Sequence, residues 1–266
     1  AANSAVRYLN INSMQETSAL SKLSSGSRIT SASDDAAGLA ISTRISSDIT
    51  TLQQAATNAA QATSILQTAD GGASNISDIL ARMKSLASES ASGTVADSSR
   101  AYINSEFTQL KGEIDSIATG TRYSSQSLLD GSSVFSSGVA VLVGSTSADT
   151  ITITLTNLTA SSLGVTSLDV STLSAATSAM SALDSAIDSV SSARAEIGAQ
   201  ESRFNFSADS ISTQTQNLQS ANSAIKDVDI AAEQATLSSA EVKTQAAVSA
   251  ETAANQMPQY LLKLLG

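Results

Sequence analysis

The chain has 266 residues, a formal net charge of −10, 41% hydrophobic residues but only 3% aromatics, and no cysteine, histidine or tryptophan. That composition removes disulfides, thiolate and imidazole chemistry and zinc sites built on Cys or His, and with them most hydrolase mechanisms. The acidity argues against nucleic acid and anionic membrane surfaces as partners, because the 14 Lys and Arg form no cluster. With one proline and 13 glycines, long stretches are free of helix breakers. Ala, Ser, Thr and Gln dominate instead, which predicts long helices with thin, closely spaced interfaces.

In chain order, residues 28–44 read "RITSASDDAAGLAISTR". Ser31 and Asp34 have the S/T-x-x-D/E spacing of a helix-capping pair, and Asp34 and Asp35 suit the positive end of a helix dipole. Gly38 costs roughly 1 kcal/mol relative to alanine inside a helix, so its presence predicts the close approach of another backbone. A helical pattern follows through Ile45, Ile49, Leu52, Ala56, Ala59 and Leu66, then Ile76, Leu80, Met83 and Leu86. "DGG" at 70–72 is expected to bend or interrupt this helix, and "SASGT" near Gly93 to end it. A second segment repeats through Ile103, Phe107, Leu110, Ile114 and Ile117, after which "ATGTRYSS" turns the chain back.

Between residues 130 and 171 the texture changes. "VAVLVG" at 139–144 and "TITITLT" at 150–156 alternate β-branched residues and predict a short hairpin. Beyond it, Leu183, Val190, Ile197, Phe204, Ile211, Leu218 and Ile225 recur every seven residues, the signal of a long helix packed along one seam. The companion seam is read as Met180, Ile187, Arg194, Glu201, Ala208, Thr215 and Asn222, apolar only at its start. The last segment, 226–266, is amphipathic and alanine-rich up to Pro258 and ends in the apolar "QYLLKLLG". Such an end needs a partner to cover it. No stretch approaches the roughly 20 apolar residues of a membrane-spanning helix.

Candidate chemistry is sparse. Asp34 with Asp35 lacks the further acids of a calcium loop, so capping is the preferred reading and no metal site is expected. "DVDIAAEQ" at 227–234 reads as a solvated helix start, and "DGGAS" lacks the Lys-Ser/Thr element of a phosphate loop. No serine or threonine has a histidine to activate it. Asn157 opens a formal glycosylation sequon, "NLT". No catalytic residue and no cofactor are expected.

At "KLSSGSRITSASDDAAGLAISTR", residues 22–44, the sequence resembles the N-terminal signature of bacterial flagellins, the subunits of the flagellar filament. "SAIKDVDIAAEQATLSSAEVKTQAAVSAETAANQMPQYLLKLLG", residues 223–266, is similar to their C-terminal segment, including its Ala-Asn-Gln-x-Pro-Gln ending. "SQSLLDG" followed by "VLVGSTSADTITITL" is similar to the family's short β region. The resemblance implies a mainly α fold, a long coiled-coil-like helical rod with a small β-hairpin insertion. Its expected division is an inner-layer helix and connector at 1–40, rod at 41–130, short β region at 131–172, rod helix at 173–225 and inner-layer helix at 226–266.

The same resemblance implies a subunit that self-assembles into a helical homopolymer, exported by the flagellar type III route to an extracellular filament. Implied partners are further copies of the chain, an export chaperone on the C-terminal segment, and hook-associated and cap proteins. Implied assembly residues are Arg28, Asp34, Asp35, Gly38 and Arg44, with Asn255, Gln256, Pro258, Leu261, Leu262, Leu264 and Leu265. Arg82, Leu86 and Glu106 match the family's contact motif for an innate immune receptor, although Lys84 and Ser85 depart from the usual Arg-Glu pair. "RYSSQ" stands where the family has a Phe-Asn-Gly turn. Two alternatives stand beside the filament reading. A hook–filament junction protein shares the terminal features, and a signalling coiled-coil rod would need two sustained seams.

Overall fold

The computed structural model describes residues 2–265, and the side chains of residues 3, 4 and 6–256. In order, the elements are α1 (Ala2–Ser25), α2 (Ala36–Ser90), α3 (Asp97–Gly120), β1 (Arg122–Tyr123), β2 (Gln126–Ser127), α4 (Val134–Ser137), β3 (Val139–Leu142), β4 (Thr150–Ile153), α5 (Leu173–Lys226) and α6 (Ile230–Leu265). The fold is mainly α. Contacts divide it into two compact units, one made of Thr51–Thr215 and the other of Ala1–Thr50 with Gln216–Gly266.

Within the first of these, α2 buries Leu52, Ala55, Ala59, Ala62, Leu66, Ala69, Ala73, Ile76, Leu80, Met83, Ala87 and Ser90. The steps alternate between three and four residues throughout, which keeps one face of the helix on the core. That phase runs through 70–72, so the expected interruption at "DGG" does not occur and α2 is continuous. Gly72 serves a different end: a β-carbon there would lie 2.4 Å from Thr121 Oγ1 and 2.9 Å from Leu129 Cδ1. The glycine admits the chain that returns after α3.

α5 keeps the same rhythm. Its predicted seven-residue seam is buried from Leu183 through Ile211, whereas Leu218 and Ile225 are only half-buried. The companion seam lies one residue earlier than the sequence suggested, at Ala179, Ala186 and Ala193, with Ala176 preceding it. Small side chains fill the second row, which is why counting large apolar residues missed it. Arg194, read as part of that seam, instead pairs with Asp70 of α2, Nε to Oδ1 at 2.8 Å. Glu201 Oε1 is buried without a hydrogen-bond partner. Burial, and secondarily the charge of Asp70, raises its pKa, so its ionised form costs stability that is regained as pH falls through the folded value.

α3 buries Arg100, Phe107, Ile114 and Ala118. The Arg100 guanidinium donates to the carbonyls of Ser90 at 2.8 Å and Ser92 at 2.9 Å, satisfying groups left open at the end of α2. Asn104, Lys111 and Asp115 hold the segment returning to α5, through Val170 N, Leu168 O and Ala160 N respectively. β3 and β4 form the expected antiparallel hairpin, with Val139 opposite Ile153 and Leu142 opposite Thr150. A second hairpin, β1–β2, was not anticipated; it turns on Ser124 (φ 48°) and Ser125 (φ 68°). The sequon residue Asn157 accepts bonds from Thr159 N at 3.0 Å and Thr159 Oγ1 at 2.9 Å.

Candidate self-association surface

The other unit is built on α1 packed against α6. The less exposed positions of α1 are Leu9, Asn12, Glu16, Ala19, Lys22 and Leu23. Those of α6 are Glu233, Leu237, Ala240, Thr244, Ala247, Glu251 and Ala254, stepping by four and three without error. Both stripes face the geometry of a two-helix seam, but their side chains are mostly small or polar. Glu16 meets Thr244 at 3.5 Å and Lys22 meets Glu233 at 3.9 Å.

Leu9, Leu23 and Leu237 lie along the seam, but most of the large apolar residues are on the outside. Tyr8 is 63% exposed, Met14 73% and Val242 69%, and Val6, Ile11, Leu20 and Val248 are exposed with them. Burying one such side chain is worth roughly 1.5–3 kcal/mol. A pair of helices with a seam of mostly small and polar residues and so many large apolar residues outside it presents a surface suited to covering by other chains.

The N-terminal connector, residues 26–35, joins this unit together. Gly26 (φ 68°) ends α1 in the left-handed conformation that glycine adopts without strain. Ser27 bridges Asp227 in antiparallel fashion. Arg28 donates to the carbonyl of Ile225 through Nη2 at 2.7 Å and Nε at 3.2 Å.

The two aspartates divide their work differently from the expected capping pair. Asp34 Oδ2 accepts from Thr30 N, Thr30 Oγ1 and Ser31 N, closing the turn before the helix. Those bonds, the Ser31 amide first, hold its carboxyl below the ordinary aspartate value. Their contribution is therefore present at neutral pH and lost as pH falls through the folded value. Asp35 is the actual cap: its Oδ1 accepts from Gly38 N at 2.8 Å. Gly38 is buried by its own chain. A β-carbon there would meet Asp35 Oδ2 at 2.4 Å and Ile29 Cδ1 at 2.8 Å, so the neighbour is a pair of local side chains and not another backbone.

Arg44, Asn255 and Gln256 are exposed. The side chains of Pro258, Leu261, Leu262, Leu264 and Leu265 lie outside the described residues. Asp229 accepts from Ala231 N at 3.0 Å and Ala232 N at 3.1 Å, so residues 227–234 do form a helix start.

In the other unit Arg82 binds Glu106 through Nε at 2.9 Å and Nη2 at 2.7 Å, and both remain about half exposed. Leu86 is only 2% exposed. It belongs to the core, so the three residues do not form one surface motif. Among the described residues no three His, Cys, Asp or Glu cluster in a way that would hold a metal ion, and no helix is long and apolar enough to cross a membrane.

Residues 1–134 match the bacterial flagellin N-terminal helical region and residues 180–265 the bacterial flagellin C-terminal helical region. The chain is 36% identical to a flagellin of Halalkalibacterium halodurans, over 99% of this chain and 97% of that protein. It is 34% identical to the flagellar filament 30.7 kDa core protein of Treponema maltophilum, over 97% of this chain and 95% of that one. Among solved structures, Bacillus cereus flagellin is similar at a TM-score of 0.53 and 29% identity, covering 62% of this chain and 94% of that one. A putative flagellar hook-associated protein from Vibrio parahaemolyticus shares the fold at a TM-score of 0.60 and 16% identity, over 73% of this chain and 100% of that one.

Proposed function

Given that this chain belongs to the bacterial flagellin family, we propose that it is a structural subunit of the flagellar filament, held to its neighbours through α1 and α6. The observation that carries the reading is a helix pair with a thin seam, mostly small and polar, such as Asn12, Glu16, Ala240 and Thr244, and with Tyr8, Ile11, Met14 and Val242 turned to solvent. Association that repeats head to tail without closing gives an open helical polymer, in which each copy covers the stripe of the next. The role is structural and not enzymatic.

The finer reading places 1–40 and 226–266 in the inner layer of the filament, with Arg44, Asn255, Gln256 and the apolar end from Pro258 among the contacts. An export chaperone would cover that C-terminal segment before secretion through the flagellar type III route, and hook-associated and cap proteins would adjoin the polymer. An innate immune receptor would meet Arg82 and Glu106, which are already engaged with each other.

The test is Ile11→Ser with Met14→Ser in the full chain. Both positions are exposed, so the soluble chain should change by no more than about 0.5 kcal/mol in stability. Seeded polymerisation, followed by sedimentation and negative-stain electron microscopy, should show a critical concentration raised at least about tenfold, equivalent to about 1.4 kcal/mol per subunit. Normal filament yield from the double variant would overturn the proposal.

A further inference from the structure

α5 stops at Lys226 and α6 begins at Ile230, yet nothing in the intervening sequence is a helix breaker. No glycine or proline occurs between Gly198 and Pro258. The stop comes from elsewhere. Arg28 Nη2 and Nε donate to Ile225 O, and Arg28 N–H donates to Lys226 O at 2.6 Å. Ser27 Oγ donates to the same Lys226 carbonyl at 3.1 Å, across 199 residues of sequence. Val228 N–H in turn donates to Gly26 O at 3.1 Å.

These are the groups a continuing helix would use. By the i to i−4 rule, Ile225 O would accept from Asp229 N, Lys226 O from Ile230 N, and Ala224 O from Val228 N. The connector takes up both carbonyls and the Val228 amide, so it competes directly with helix propagation. We infer that residues 26–28 impose the break between α5 and α6, and that Arg28 is the positioning residue that sets α6 for assembly. A chain lacking that grip runs α5 into α6 as one helix. The link to assembly rests on the filament-subunit reading, whereas the break itself does not.

The sequence supplies a convenient probe, because Val228–Asp229 is the only Val-Asp step in the chain. Labelling valine with carbonyl ¹³C and aspartate with ¹⁵N therefore yields a single coupled pair at the break, observable by NMR in the unpolymerised full chain. Wild type should show a non-helical Val228 carbonyl shift. Ser27→Ala with Arg28→Ala should move that shift into the helical range and raise the critical concentration for filaments at least tenfold. Asp229→Ala, which removes only the local cap of α6, should leave the shift where it was. An unchanged shift in the double variant, which keeps the backbone bonds of Arg28 N to Lys226 O and Val228 N to Gly26 O, would overturn Arg28 as the positioning residue, and a helical shift from Asp229→Ala alone would show that the break is local and overturn the inference. A helical shift with normal filaments would overturn the positioning role without touching the filament reading, which the Ile11 and Met14 variants test separately.

Discussion

Gly38 and Asp35 act as one unit: the carboxylate that caps α2 occupies the space a side chain at 38 would need. Gly38→Ala should therefore lower stability by about 1–3 kcal/mol, the usual cost of forcing atoms into filled space. Asp35→Ala alone should cost about 1 kcal/mol through loss of the cap. Together they should cost less than their sum, since removing the carboxylate makes room for the methyl group. Urea unfolding of the four chains checks this; strict additivity would refute the shared-space argument. The sequence showed that position 38 was constrained, but not by what. Ser31 to Asp34 and Asp35 to Gly38 are both three-residue steps, and only the fold decides which one opens the helix. Leu86 shows the converse, since the apolar pattern it shares with Ile76, Leu80 and Met83 already turned it toward the core, against its place in a surface motif.

Among the elements, the long helices were legible because so few glycines and prolines interrupt them, and the β3–β4 hairpin because β-branched residues alternate there. The alanine row of α5 was not, because an alanine at an interface and an alanine on a surface look alike until the partner is placed. The β1–β2 turn was hidden for a related reason. Serine seldom takes positive φ, yet Ser124 and Ser125 both do, where Asn-Gly is the favoured pair. A residue with a β-carbon held in the left-handed region costs roughly 1–2 kcal/mol. Ser124→Asn with Ser125→Gly should therefore raise stability by about 1 kcal/mol, seen as a higher denaturation midpoint with an unchanged slope. A lower midpoint would mean that the serine hydroxyls contribute more than the backbone strain costs.

At the scale of the whole molecule, the two units differ in what they bury. Thr51–Thr215 encloses Phe107, Phe204, Leu80, Met83 and Ile114, whereas in the terminal unit the buried apolar side chains among the described residues are Ala19, Ile29, Leu237 and Ala240. Local opening follows the density of such contacts. In the free subunit, amides of α1 and α6 should exchange with solvent at least about 100-fold faster than those at Leu52–Met83, and polymerisation should slow the first group selectively. Hydrogen exchange read by mass spectrometry checks both; uniform protection in the free subunit would refute the comparison. The grip of residues 26–28 on residues 225–228 adds an order of events. Thr51–Thr215 is one continuous segment and can close on itself, but the terminal unit needs both ends of a chain separated by about 200 residues. The terminal unit can therefore close only once both ends of the chain are free, whereas the middle can close before that, so the length of the middle works as a timer for the unit that carries the exposed apolar residues.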